Sequence, residues 1–159
     1  MKSLVTYILL ASFVFLFACS DNELDNNNNN THPNGIGVGE MSADSVMSAL
    51  RWNDMGFTVQ SGETYTFHSV SEWVDLSIVT DADGFSNPGM DLFSNLKRVP
   101  DALWFELIAS VDTTNFYIIG KDTTISFNET GRIMLFGNDA EGFYGNNSGS
   151  IYTEITRTK

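Results

Sequence analysis

Residues 41–159 predict an all-β fold, a β-sandwich of two antiparallel sheets. Short runs rich in β-branched and aromatic residues alternate with Gly, Asn, Asp and Ser clusters every roughly 8–12 residues, the spacing of a sandwich or barrel. In the final run Ile151, Thr153 and Ile155 point one way while Tyr152, Glu154 and Thr156 point the other. That period of two fits a sheet with one buried and one wet face. No stretch carries a sustained helical period with caps, and 43–50 is the most ambiguous.

The predicted strands are 46–51, 57–60, 64–69, 72–78, 103–111, 116–119, 123–127, 132–137 and 149–157. Ser61-Gly62-Glu63 joins the second to the third as a hairpin turn, and Asn128-Glu129-Thr130-Gly131 serves the same purpose later. Trp52, Trp73 and Trp104 each fall on or beside a predicted strand, which assigns them to core packing. His68 shares a strand with Tyr65 and Phe67 and has no second His or Cys beside it, so it reads as structural or surface. Two segments, 80–100 and 138–148, are too long and polar to be simple turns. In a sandwich such loops gather at the ends of the sheets, where binding sites form.

Composition excludes several function classes. The chain is 42% hydrophobic, 13% aromatic and 18% charged, which suits a globular domain with an aromatic core. Twenty acids against eight bases give a net charge of −12, and residues 41–159 alone carry 16 acids and 7 bases. Such a surface repels nucleic-acid phosphates. One cysteine and two histidines leave no intrachain disulfide, no cysteine-based zinc site and little scope for histidine catalysis.

Residues 1–18 read as a signal peptide: Lys2 supplies the positive start, and the apolar run 4–17 is short for a membrane-spanning helix. The run ends in Leu16-Phe17-Ala18-Cys19, which resembles a bacterial lipobox, with Phe17 as its departure from the usual small residue. That resemblance implies lipidation at Cys19 and a lipoprotein held at the membrane by its acyl chains; the alternative is an ordinary secretory signal. Ser20-Asp21-Asn22-Glu23 resembles an acidic export signal, which implies the outer membrane and display at the cell surface. Residues 19–40, with five consecutive asparagines at 26–30 and His32, read as a flexible linker.

The loop Asn138-Asp139-Ala140-Glu141-Gly142-Phe143-Tyr144-Gly145-Asn146-Asn147-Ser148-Gly149-Ser150 offers carboxylate and amide oxygens, with glycines that allow tight turns. Calcium takes six to eight oxygens from such groups; the alternative is a long hairpin whose Asn and Gly merely tolerate positive φ. This run resembles the signature loop of the PA-I-type galactophilic lectins, calcium-dependent bacterial β-sandwich proteins. The likeness extends over most of the domain: Trp52-Asn53-Asp54-Met55-Gly56 with Val59, Gly62 and Glu63, then Glu72-Trp73, Pro100-Asp101-Ala102-Leu103 through Ile108, Phe116 to Gly120 and Gly131 to Asp139.

The resemblance implies a galactose-binding-domain-like sandwich with a calcium cofactor. Its ligands would be the Asp139 carboxylate, the side-chain oxygens of Asn146 and Asn147, and the backbone carbonyls of Phe143 and Leu76. A galactose-like glycan would be the partner, with two neighbouring hydroxyls completing the calcium shell and homo-oligomers allowed. Its contacts would come from Asp139, Ala140, Phe143 and Asn146 and, in the middle loop, from Asn87, Pro88 and Met90. Here the family uses His-Pro-x-Gln, whereas this chain has Asn87-Pro88-Gly89-Met90. The departures therefore fall on the sugar rather than on the metal.

Asp81-Ala82-Asp83-Gly84 opens like an acidic calcium loop, but its twelfth position is Leu92 and not the bidentate Glu of an EF-hand, so it reads as a turn. No Gly-x-Ser-x-Gly elbow, phosphate-binding glycine loop or His-Glu-x-x-His is present. The domain reads as non-catalytic: a carbohydrate-binding lipoprotein or, as the alternative, a structural or protein-interaction lipoprotein that keeps the sandwich without sugar binding.

Overall fold

The last strand organises everything else. In a computed structural model describing residues 35–159, this strand, β10 (Asn147–Arg157), is paired along both edges. On one side lies β1 (Met41–Met47), in register from Met41↔Thr156 to Met47↔Ser150. On the other side β4 (Trp73–Asp75) pairs with residues 147–149 and β3 (Thr64–Val70) with 152–157. Adding β5 (Ile78–Thr80) beside β4 and β8 (Asp122–Ser126) beside β3 completes a six-stranded sheet. The facing sheet has four strands in the order β2 (Asn53–Val59), β9 (Gly131–Gly137), β6 (Leu107–Val111) and β7 (Asn115–Ile118). All pairings are antiparallel, as the all-β sandwich expectation requires.

The core lies between the sheets. Ile151, Thr153 and Ile155 are fully buried while Tyr152 stays exposed, so the alternation read from β10 is the alternation it adopts. Ile151 and Ile155 share one core cluster with Phe57, Tyr65, Phe67, Phe127, Ile133 and Leu135. A second, smaller cluster on the outer face of the four-stranded sheet joins Ala102, Ile108 and Phe136 to Trp52 and Val99. This explains why every residue of β6 is buried.

Some boundaries differ from the sequence reading for local reasons. The predicted run 46–51 overlaps β1 only at Val46 and Met47: the strand starts at Met41 and stops where Asn53 Oδ1 accepts the Met47 N–H at 2.8 Å, and 48–51 turn away. The run 72–78 breaks into β4 and β5 because Leu76, at φ +53°, reverses the chain. Phe105, at φ +58°, likewise turns 103–106 away from β6. Residues 35–40, assigned to the linker, lie against the domain: Ile36 is 1% exposed in the core. Arg157 Nη1 donates to Ile36 O at 3.1 Å, and Gly39 N donates to Arg157 O at 2.8 Å. Cys19, the apolar run before it and His32 lie outside the described residues.

Candidate functional site

The loop after β9 is fastened before it reaches the site. Asn138 is fully buried; its Oδ1 accepts Val99 N–H at 2.9 Å, and its Nδ2 donates to Val99 O and Leu103 O at 2.8 and 2.9 Å. Next to it the Arg98 guanidinium lies 3.5 Å from the Phe136 ring centre and 3.9 Å from that of Trp52. Its Nη1 donates to Arg51 O and to Tyr144 Oη at 2.6 and 3.0 Å, and its backbone N–H donates to Asp139 O at 3.0 Å. Burial of this cation holds its acidity above that of a free guanidinium. Tyr144 Oη donates to Gly137 O at 2.9 Å, and burial pushes the phenol up to about 12. Asp139 is thus set on a loop tied at several points to the sandwich.

Asp139 is 3% exposed. Its Oδ1 accepts Ala140 N–H at 2.7 Å and its Oδ2 accepts Asn147 Nδ2 at 3.0 Å. That leaves Asn147 Oδ1 buried without a hydrogen-bond partner. Directly across the β4–β10 pair from Asn147 stands Asp75, 5% exposed, whose Oδ2 is also without one. Burial, and then the nearby charge of Asp139, push the Asp75 carboxyl up to about 6. Burial raises Asp139 too, against the two hydrogen bonds that favour its charged form.

An unmatched buried acceptor costs about 1–3 kcal/mol, and two unmatched oxygens beside a second carboxylate are a strong demand for positive charge. A hard divalent cation fits this donor set of two carboxylates, amide oxygens and nearby backbone carbonyls. Zinc, which takes cysteine and histidine ligands, does not fit, because neither residue type lines the site. The oxygens present are of the kind that an oxygen-ligated cation takes.

These groups open into a cavity of about 500 Å³. Leu76, Met90, Asp139, Ala140, Phe143 and Asn146, all singled out in the sequence, line it. Asn147 joins through its bond to Asp139. Asn87 and Pro88 do not line it; Asn87 Oδ1 instead accepts Gly89 N–H at 3.0 Å and caps its own turn. Sequence reasoning missed Asp75, Phe93, Leu96 and Trp104. For Asp75 a signal existed: it alternates with the inward-facing Trp73, which puts a carboxylate where an apolar residue belongs. Leu76, with its positive φ, is a strained conformation for a leucine, of the kind that gathers at binding sites.

The other candidates resolve structurally. Asp81 and Asp83 take up Lys121, which donates from Nζ to Asp81 Oδ2 and from its backbone N–H to Asp83 Oδ1, both at 2.8 Å. His68 is exposed and pairs with Asp122 at 2.6 Å, which raises its pKa. Trp73 is fully buried and Trp52 packs on Phe136, whereas Trp104, 4% exposed, does both jobs by lining the cavity as well.

No protein-family model matches the chain, and no curated protein matches it. Among solved structures the chain is similar to a domain described as "EclA N-terminal domain; PllA-like lectin", with a TM-score of 0.56 and 20% identity. The match covers 72% of this chain and 94% of that one. The lectin-type β-sandwich expected from the sequence is therefore the fold this chain adopts.

Proposed function

We propose that this chain is a non-catalytic, calcium-dependent carbohydrate-binding lipoprotein. The observation that carries the reading is the pair of buried, unpartnered oxygens, Asp75 Oδ2 and Asn147 Oδ1, beside the buried Asp139 at one end of a ligand-sized cavity. Asp75, Asp139, Asn146 and Asn147 would hold the ion with side-chain oxygens, helped by the Leu76 and Phe143 carbonyls. When bound, calcium supplies a positive centre for two neighbouring sugar hydroxyls. The chain's own residues do the rest: Arg98 and Asn138 fix the loop, and Asp139 and Asn146 stand at the cavity to accept sugar hydrogen bonds. With both acids of the cavity committed to the cation, no acid–base pair is left for glycoside hydrolysis. Lipidation at Cys19 and outer-membrane placement rest on the sequence, and many weak sites on one membrane would act together.

The test is calcium titration by calorimetry on the wild type, Asp139→Asn and Asp75→Asn. Wild type is expected to bind, Asp139→Asn to lose binding, and Asp75→Asn to bind at least about tenfold more weakly. In thermal unfolding, calcium at 100 times its dissociation constant adds about 2.7 kcal/mol, a shift of several degrees. Absence of both heat and shift in the wild type overturns the reading and leaves the sandwich as a structural or protein-interaction domain.

A further inference from the structure

We infer that the outer face of the four-stranded sheet is a second binding site, an aromatic platform for a neutral, extended polysaccharide chain that needs no cation. The platform is separate from the cavity, which neither of its two stacking rings, Trp52 and Phe116, lines. Alternation defines the face. In β6 Leu107, Ala109 and Val111 belong to the core between the sheets, which turns Ile108 and Ser110 outward. In β7 Tyr117 packs inward on Phe127, which turns Phe116 and Ile118 outward, 42% and 43% exposed. Exposed apolar side chains grouped on one face, unlike scattered ones, mark a binding surface. Register sets Phe116, Ser110, Met134 and Asp54 in one row across all four strands. At roughly 4.8 Å per strand spacing, that row spans about 14 Å.

The rings are set in advance. Trp52 and Phe116 lie with centres 6.5 Å apart and planes within 5° of parallel, so both turn their faces in one direction. Phe136, fully buried, stands nearly perpendicular to both, at 77° and 80° with centres 5.1 and 5.9 Å away. The buried Arg98 guanidinium lies against Trp52, 3.9 Å from its ring centre. Rings held this way have little freedom to lose on binding. An aromatic face is the negative side of its quadrupole, and it suits a ligand whose flat side is made of C–H groups. A β-linked pyranose with equatorial substituents is such a ligand: axial C–H groups cover its faces and hydroxyls ring its edge. Charged groups on this side of the domain are paired and reach solvent. Arg132 Nε donates to both Asp54 oxygens at 2.8 Å, and Arg51 lies 2.9 Å from Glu141. These pairs offer hydrogen bonds to hydroxyls and no unmatched charge to an ionic ligand. Two parallel rings take successive units of one chain, whereas a single hexose uses only one of them. A protein partner fits less well, because its dominant anchors seat in desolvated pockets and this is an open sheet face.

The experiment titrates cellohexaose, xylohexaose and chitohexaose, and the monosaccharide of each, into the protein in chelator, read by calorimetry. At least one hexasaccharide is expected to bind about tenfold or more tightly than its monosaccharide. Phe116→Ala should weaken that binding about tenfold or more. Phe116→Leu, which keeps apolar bulk without the ring, should do the same, and Phe116→Trp should keep it. Tyr152→Ala should leave it unchanged, since Tyr152 is an equally exposed aromatic, at 41%, on the other sheet. Absence of hexasaccharide binding in chelator overturns the inference and leaves the cation reading standing. Binding that survives loss of the Phe116 ring overturns it as well. Sedimentation covers the other occupant: a dimer that Phe116→Ala dissociates, with no hexasaccharide bound, gives the face to a second copy and overturns the inference.

Discussion

Asp75 bears two opposed demands, and one substitution separates them. Without a cation its carboxylate is held out of water beside Asp139 with one oxygen unmatched. Asp75→Asn should therefore raise the stability of the chelator-treated protein, by about 1–3 kcal/mol, while lowering calcium affinity. A purely structural carboxylate would give the opposite sign in chelator, so denaturant melts with and without calcium decide the matter. His68 supplies a residue-scale pH prediction. Its pair with Asp122 raises the folded-state pKa above 6.5. The contribution is thus complete below pH 6.5 and disappears as pH climbs through the raised value. Proton NMR should find His68 titrating above its ordinary range, and Asp122→Asn should bring it back; an unshifted His68 in the wild type contradicts the pairing.

At the scale of elements, the 138–147 loop depends on a residue that does not line the cavity. Arg98 is clamped between Trp52 and Phe136 and ties Arg51, Tyr144 and Asp139 together. Lysine keeps the charge but loses the flat stack and the forked donors. Arg98→Lys should cost about 2 kcal/mol of stability and weaken calcium binding through misplacement of Asp139, with the loss of affinity read by calorimetry. The sequence was most legible where one period governs an element, as in β10, and where residue types are fixed by chemistry, as in 138–150. It was least legible at Leu76, because positive φ on a leucine has no signature, and a predicted strand ran straight through a turn. Alternation with Trp73 marks Asp75 as inward-facing, but not its role. Its meaning lies in Asn147 across the sheet, and register between β4 and β10 is set by tertiary pairing that no local window contains. Met90 was read as a lost polar contact, since only the fold brings Phe93, Leu96 and Trp104 beside it.

For the molecule as a whole, the domain begins earlier than its strands. Ile36 fills the core from a segment whose composition reads as tether. Ile36→Ala should destabilise the protein by about 2–5 kcal/mol and lower the melting temperature by at least several degrees, whereas a change to the asparagine run should leave it unmoved. The same segment also fixes where the chain enters the sandwich relative to the cavity. The chain enters beside Arg157, at one end of β10, while Asn147 and the cavity stand at the other, a strand length of roughly 30 Å away. If the chain is held through its N-terminus as proposed, a pull on a ligand in the cavity would run parallel to β1 and β10. Their seven register pairs are loaded together, in shear, and cannot open one after another like a zip. Under the proposed anchoring at Cys19, a ligand in the cavity would be presented at the end of β10 opposite the point of entry, on the path along which the fold best resists tension.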